Sequence, residues 1–186
     1  MHFIEEIRNY QPSCPQEGVD KENMLRSISL FQDSILTRDC TLAHMTASSM
    51  IFNKNRDKVL MVFHNIYQSW SWTGGHADGE SDLCKVAMKE AKEETGLSDL
   101  RLISEHPGSL EILTVWSHVK RGVPVSGHVH LNLSYLFEAD EEAEIHMQEE
   151  ENSGVAWIPV DQLGTYVAEP YMIPIYEKLI ERGKKQ

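Results

Sequence analysis

The chain has 186 residues, of which 41% are hydrophobic and 25% charged, and this composition fits one folded domain with a substantial core. Its net charge of −12 at pH 7 argues against a nucleic-acid backbone as a non-specific partner. The sequence shows neither an apolar run of membrane-spanning length nor the start of a signal peptide, so a cytoplasmic location without membrane association is expected.

The first predicted element is a helix over Lys21–Leu36, with its apolar residues on one face and Asp20 as its N-cap. A loop that contains two prolines precedes it, so residues 1–38 are interpreted as an N-terminal helical extension and residues 39–186 as the main domain. Strands are predicted over Ala43–Asn53, Lys58–His64, Leu100–Ser104, Leu110–Lys120, His128–Glu138 and Val155–Ile158, and a last helix over Pro170–Arg182. A helix between strands, with helices at both ends, predicts an α/β (α+β) sandwich.

The helix between the strands, which Ser81 is predicted to cap and Gly96 to end, has an unusual charge pattern. Its lysines lie opposite the apolar stripe, whereas Glu90 and Glu94 fall within that stripe and Glu93 at its edge. Like charges one turn apart repel by roughly 0.2–0.5 kcal/mol, and partial burial costs more. A hard cation bound through oxygen would make the group favourable, which points to Mg²⁺ or Mn²⁺.

The loop before this helix contains three glycines and includes the run Gly74-Gly75-His76. Glycines allow backbone N–H groups to approach an anion closely. A glycine-rich loop that leads into an acidic helix therefore predicts a site for a metal-bound phosphate ester.

The segment from Gly75 to Leu97 resembles the signature of the Nudix family, which reads Gly, five residues, Glu, seven residues, then Arg-Glu-apolar-x-Glu-Glu-x-Gly-apolar. Residues 89–97 match its second half, and the resemblance extends over about residues 43–163. It implies a Nudix-like α/β/α sandwich with a mixed β-sheet, and metal-dependent attack of water on a diphosphate linkage. It also implies that the metal ligands are Glu90, Glu93 and Glu94, the last two of them also catalytic.

Two positions depart from the signature. Lys89 replaces the usual arginine, which keeps the charge but loses the two-pronged contact with a carboxylate. Ser81 stands at the first glutamate position, and Glu80 lies one residue early, so the role of Glu80 is open.

Residues outside the signature complete the predicted site. His128 and His130 alternate with apolar residues and share one sheet face, and together with Gly74, Gly75 and His76 they are predicted to bind substrate. The alternative for the two strand histidines is an ordinary solvated sheet face. Glu150, chosen from the acidic run 149–151, is predicted to act as an additional ligand or general base, and a solvated loop is the alternative.

The sequence thus predicts a hydrolase that cleaves a small-molecule nucleoside diphosphate derivative. One rival is a non-catalytic module of the same fold that binds a nucleotide or metabolite. A more distant rival is an isomerase of prenyl diphosphates, whose chemistry needs a cysteine facing the substrate, and Cys84 is poorly placed for that. The sequence identifies neither the substrate nor the oligomeric state, and a homodimer is left open.

Overall fold

The structure, a computed structural model, describes residues 2–65, 68–120, 122–147 and 152–186. The helices are α1 (His2–Asn9), α2 (Pro15–Phe31), α3 (Leu83–Thr95), α4 (Leu163–Tyr166) and α5 (Ile173–Lys184), with a 3₁₀ helix at Gln32–Leu36. The strands are β1 (Ala43–Phe52), β2 (Lys58–His64), β3 (Ser69–Ser71), β4 (Thr73–His76), β5 (Arg101–Leu102), β6 (Ser109–Val115), β7 (His118–Lys120), β8 (Val123–Val125), β9 (His128–Glu138) and β10 (Asn152–Pro159). Within the described ranges, no helix combines the length and the apolar character that crossing a membrane requires.

The main sheet is mixed and is organised around β1. Strands β1 and β9 pair in parallel from Ala43 opposite Val129 to Phe52 opposite Glu138, while β2 and β4 pair antiparallel with β1. Strand β6 pairs antiparallel with β9, which confirms the predicted pairing of these two segments. The predicted turn between them lies instead in the small separate ribbon formed by β7 and β8.

Alternate residues of β1 face two different layers of helices. Met45 and Ala47 belong to an apolar cluster that contains residues of α3, whereas Met50 and Phe52 belong to a second cluster with Tyr176 of α5. The sheet therefore lies between helices, and the predicted α/β/α sandwich is confirmed. On the α5 side, the first half of β1 carries polar residues in place of apolar ones.

The N-terminal helices differ from the prediction in their limits. Helix α2 begins at Pro15 rather than after Asp20, because a proline at the first helical position loses no hydrogen bond. The proline-containing loop was predicted to fill the preceding residues, but these include the additional helix α1. Asp20 is not a cap; it lies within α2, where its carboxylate accepts the backbone N–H of Ile112 at the edge of β6.

The N-terminal segment packs tightly on the rest of the chain. Phe3 and Met24 are fully buried in the same cluster as the sheet. Glu17 is buried as well and forms ion pairs with Lys178 and Arg182 of α5, at 2.8 and 2.9 Å. Burial alone would raise the pKa of Glu17, but hydrogen bonds from Arg182 and Lys178 lower it to about 2. The division at residue 38 stays a prediction.

Candidate active site

Helix α3 begins one residue later than the sequence predicted. Asp82, rather than Ser81, is its N-cap and accepts the backbone N–H of Lys85 at 3.0 Å. The helix ends at Gly96, whose φ of 73° is the left-handed conformation typical of a C-terminal glycine. Its buried face is the predicted stripe, and Glu94, only 5% exposed, belongs to it.

Two strands hold the carboxylate of Glu94 in place. Its Oε1 accepts the backbone N–H of Gly74 in β4 at 2.9 Å, and its Oε2 accepts the side-chain amide of Asn152 in β10 at 3.0 Å. A carboxylate oxygen has more than one lone pair, so both hydrogen bonds leave capacity for a cation. Asn152 was missed by the sequence reasoning, because its position depends on the pairing of β10 with β2.

The two glycines of β4 serve different purposes. A Cβ at Gly75 would lie 2.7 Å from Oε2 of Glu90, so this glycine lets the Glu90 carboxylate lie directly against the strand. A Cβ at Gly74 would lie 2.6 Å from the carbonyl oxygen of Ala47, so this glycine lets β4 approach β1. Consecutive residues of β4 therefore position Glu90 and Glu94.

Lys89 joins two of the predicted ligands. Its Nζ lies 3.2 Å from Oε1 of Glu90 and 3.1 Å from Oε2 of Glu93. Hydrogen bonds to Glu93 and Glu90 raise the pKa of Lys89. The lysine thus contacts each carboxylate once, which is the single-point contact expected when arginine is replaced.

The carboxylates suit a divalent cation chemically, since Mg²⁺ and Mn²⁺ prefer oxygen ligands. Glu90 and Glu94 offer such oxygens beside the β4 backbone, and Glu93 is 50% exposed and is bound by Lys89 at one oxygen. Among the described residues, the carboxylate oxygens of these three side chains do not all lie close enough together to bind one ion in this structure. Glu150, a predicted catalytic residue, lies outside the described residues.

Glu80 supports the start of α3. Its Oε1 accepts the backbone N–H groups of Ser81 and Asp82 at 2.9 and 3.0 Å, and its Oε2 lies 2.7 Å from Nζ of Lys85. The hydrogen bond from Lys85, assisted by that from Asp82, lowers the pKa of Glu80 to about 2. These contacts give Glu80 a structural role at the helix N-terminus.

Four histidines from three strands form a cluster, which we call the histidine cluster: His44 of β1, His76 of β4, and His128 and His130 of β9. Five pairs of their rings have centroids 4.9 to 5.2 Å apart. The prediction that His128 and His130 share a face is confirmed, while their contact with substrate stays a prediction. His44 was missed, because the sequence does not reveal that β1 lies between β4 and β9.

A hydrogen-bonded network continues the same face of the sheet. The hydroxyl groups of Thr46 and Ser48 donate to Oδ1 of Asn132 at 3.0 and 2.9 Å. The Asn132 amide donates in turn to the hydroxyl of Ser134 at 3.0 Å. A buried network whose members are satisfied is rigid, so it fixes β1 against β9 beside the histidines.

A cavity of about 510 Å³ lies beyond the histidine cluster, between β6, α2 and α5. Its volume falls in the range of small-molecule pockets, roughly 300–1,000 Å³. Leu113 lines the cavity and pairs with His130 across the sheet, so the two side chains lie on the same face. Two largely exposed aromatic side chains, Trp116 and Tyr171, also line it.

Comparisons with known proteins agree with this architecture. A sequence model of the NUDIX domain matches residues 43–182. No curated protein matches the chain.

Three solved structures illustrate the likeness of fold. A binary complex of a C. elegans Ap4A hydrolase has a TM-score of 0.53 and 15% identity, over 76% of this chain and 98% of that one. The M. smegmatis Nudix hydrolase RenU has a TM-score of 0.57 and 15% identity, over 76% and 86%. The E. coli dihydroneopterin triphosphate pyrophosphohydrolase has a TM-score of 0.55 and 15% identity, over 74% and 94%.

Proposed function

The chain belongs to the Nudix family of hydrolases that act on diphosphate linkages, and we propose that it is a metal-dependent pyrophosphohydrolase of a nucleoside diphosphate linked to another group. The observation that carries this proposal is the placement of two carboxylates against one glycine pair. Glu94 accepts the N–H of Gly74, and Glu90 lies in the space that a side chain at Gly75 would fill. This arrangement supports a cation site beside a backbone that can approach phosphate.

The chain's own residues divide the work in this proposal. Glu90, Glu93 and Glu94 hold Mg²⁺ or Mn²⁺, which neutralises charge on the diphosphate when it is bound. Gly74 and Asn152 keep Glu94 oriented. A carboxylate takes the proton of the attacking water as the new P–O bond forms and the anhydride P–O bond breaks, which leaves two phosphate-bearing products.

The base is one of the predicted catalytic residues Glu93, Glu94 and Glu150. Glu94 has a hydrogen-bond donor on each oxygen, so its orientation is fixed. Glu93 is half exposed and bound to Lys89 at one oxygen, so it is better able to reach water. The role of Glu150 rests on the sequence alone.

We place the nucleoside in the 510 Å³ cavity beside β6. Strand β6 lines the cavity and is followed across the sheet by β9, β1 and β4. Leu113 and Gly75 are three strand spacings of roughly 4.8 Å apart and are offset along the strands by three residues of roughly 3.3 Å, which together separate them by about 17 Å. Trp116 and Tyr171 offer aromatic surfaces to a base, and His76, His128 and His130, on the sheet face opposite α3, remain the predicted substrate contacts of the sheet.

The binding-module rival differs in how it would hold an anion. The protein carries a charge of −12, and the cation that lines the cavity among the described residues, Lys178, is already paired with Glu17 and Glu111 at 2.8 and 2.7 Å. A diphosphate therefore needs an added cation to bind. Burial raises the pKa of Cys84 to about 12, which argues against a reactive thiol and against the isomerase.

The test combines binding and turnover. A panel of nucleoside triphosphates, dinucleoside polyphosphates, sugar nucleotides and nicotinamide or flavin dinucleotides is titrated calorimetrically with and without Mg²⁺, and the products are separated by chromatography. Metal-dependent binding with cleavage into two phosphate-bearing products is expected. Tight binding of one compound without metal, with no cleavage of any, would replace the hydrolase by the binding module.

A further inference from the structure

We propose that the histidine cluster binds one transition-metal ion of the zinc or cobalt class, at a second site separate from the glutamates of α3. The ligands are His44, His76 and His130, and His128 lies beside them. This inference does not rest on the proposed function, because it concerns metal binding and not turnover.

The sheet places these ligands together through its pairing register. His44 lies directly opposite His130 in the parallel pairing of β1 with β9. His76 lies opposite Thr46, which is two residues from His44 on the same face. One ligand nitrogen from each of His44, His76 and His130 lies within 4.8 Å of the other two. A tetrahedral zinc site with Zn–N bonds of about 2.0–2.1 Å requires nitrogens about 3.4 Å apart, so these atoms need to close by at most about 1.4 Å.

Two of these imidazoles have a buried nitrogen with no partner among the described residues. They are Nε2 of His44 and Nε2 of His130, and His44 is only 4% exposed. Burying a polar atom without a hydrogen bond costs free energy, so such atoms are rare in folded proteins. A shared metal ion would satisfy both nitrogens at once.

The tautomer of His44 also suits a metal. Its Nδ1 lies 3.0 Å from the carbonyl oxygen of Cys40. Since a carbonyl only accepts, Nδ1 carries the proton and Nε2 presents a lone pair. A ligating histidine that donates its other N–H to a carbonyl is the usual arrangement in metal sites. His128 repeats it, with Nδ1 2.9 Å from the carbonyl oxygen of Ser126.

The protonation state agrees with this geometry. Burial, followed by the proximity of His76 and His44, lowers the pKa of His130 to about 2. Burial also lowers the pKa of His44. Both imidazoles are therefore neutral at pH 7, which is the form that binds a metal.

The two metal sites differ in the ions they select. Imidazole suits zinc, copper, nickel and iron, whereas carboxylates suit magnesium and manganese. His76 directly follows Gly75, which contacts Glu90, so the two sites are neighbours along β4. Because successive residues of a strand face opposite sides of the sheet, the histidine cluster lies on the face opposite α3, and an ion there would add positive charge on the face that also carries Leu113 of the cavity.

The experiment measures Co²⁺ and Zn²⁺ binding to the full chain, stripped of metal by a chelator and then kept in excess Mg²⁺ to occupy the carboxylates. We expect one Co²⁺ per chain, with visible absorption bands typical of four-coordinate nitrogen ligands. The His44→Gln and His130→Gln variants should bind at least about 100-fold more weakly, because even loss of an outer contact to a ligand costs roughly 10–100-fold. His106→Gln, at an exposed histidine outside the cluster, is the matched control and should bind as the parent chain does.

Two further measurements keep the outcome decisive. Glu94→Gln should leave Co²⁺ binding unchanged, and a loss equal to that of the histidine variants would assign the ion to the glutamates and overturn the proposal. Zn²⁺ should shift the imidazole nitrogen resonances of His44 and His130 in the unaltered protein labelled with ¹⁵N-histidine. If those resonances do not move, the site does not exist, whether or not the variants fold.

Discussion

The Gly75→Ala substitution would displace a predicted metal ligand without removing any functional group. A Cβ at this position would lie 2.7 Å from Oε2 of Glu90, whereas an ordinary contact is about 3.5 Å or more. The Glu90 carboxylate therefore has to move by roughly 1 Å. A misplacement of this size at a catalytic site costs about 10²-fold in rate, so we expect kcat/KM to fall by about that factor.

The assay follows hydrolysis of the panel compound that the parent chain cleaves fastest, as a function of Mg²⁺, together with Mn²⁺ affinity. Gly164→Ala is the matched control, because a Cβ there meets nothing within 4 Å, and it should keep full activity. In a Glu90→Gln background, Gly75→Ala should cause little further loss, since both changes act through the same carboxylate. Parent-like activity and Mn²⁺ affinity in Gly75→Ala would refute the placement of Glu90 at the metal.

Three further outcomes are expected. Glu94→Gln should lower kcat at saturating Mg²⁺ by at least about 10²-fold, and activity within a few-fold of the parent would contradict the assignment of Glu94 as a metal ligand. The free energy of unfolding should also fall by about 1 kcal/mol, because the single oxygen of an amide accepts from only one of the donors Gly74 and Asn152. Glu80→Ala should lower the melting temperature but reduce activity much less than Glu94→Gln, because the side-chain contacts of Glu80 with described residues lie at the start of α3. Equal losses of activity would place Glu80 at the metal. Glu17→Gln should destabilise the fold by on the order of 3 kcal/mol at neutral pH. Since the pKa of Glu17 falls from 4.5 to about 2 on folding, this loss of stability should be complete above pH 4.5 and disappear as the pH falls through about 2. Urea unfolding at several pH values measures it, and a loss independent of pH would show that the carboxylate charge is not the cause.

Much of the fold was predictable because local patterns determine it. The apolar stripe of α3 and the glycine at its end correctly predicted a buried face that includes Glu94. The error at the N-terminus arose because a proline can either break a helix or begin one. Only the packed structure shows that Pro15 begins α2. The carboxylate of Asp20 looked like a cap, although its partners are the side chain of Gln16 in the same helix and the backbone N–H of Ile112, 92 residues away.

The site was predictable where its residues are close in sequence and not where pairing between distant strands assembles it. Glu90 and Glu94 lie one helical turn apart, so their shared face follows from the helix period. Asn152 contacts Glu94 across 58 positions, and His44 meets His130 through the parallel pairing of β1 with β9. Neither contact leaves a pattern in one sequence, because each depends on which distant strands pair: β10 with β2 in the first case and β1 with β9 in the second.

The order of features across the strands of the sheet limits how an acidic protein can bind an acidic substrate. The glutamates beside β4, the histidine cluster on β4, β1 and β9, and the cavity beside β6 follow one another in that order. Among the described residues, Lys178 at the cavity and Lys89 beside the glutamates are both paired with carboxylates, so neither lysine is available to offset the charge of the diphosphate. Bound metal ions would therefore supply positive charge that these lysines do not, and substrate affinity should depend on occupancy of the glutamate site and, with it, of the histidine cluster.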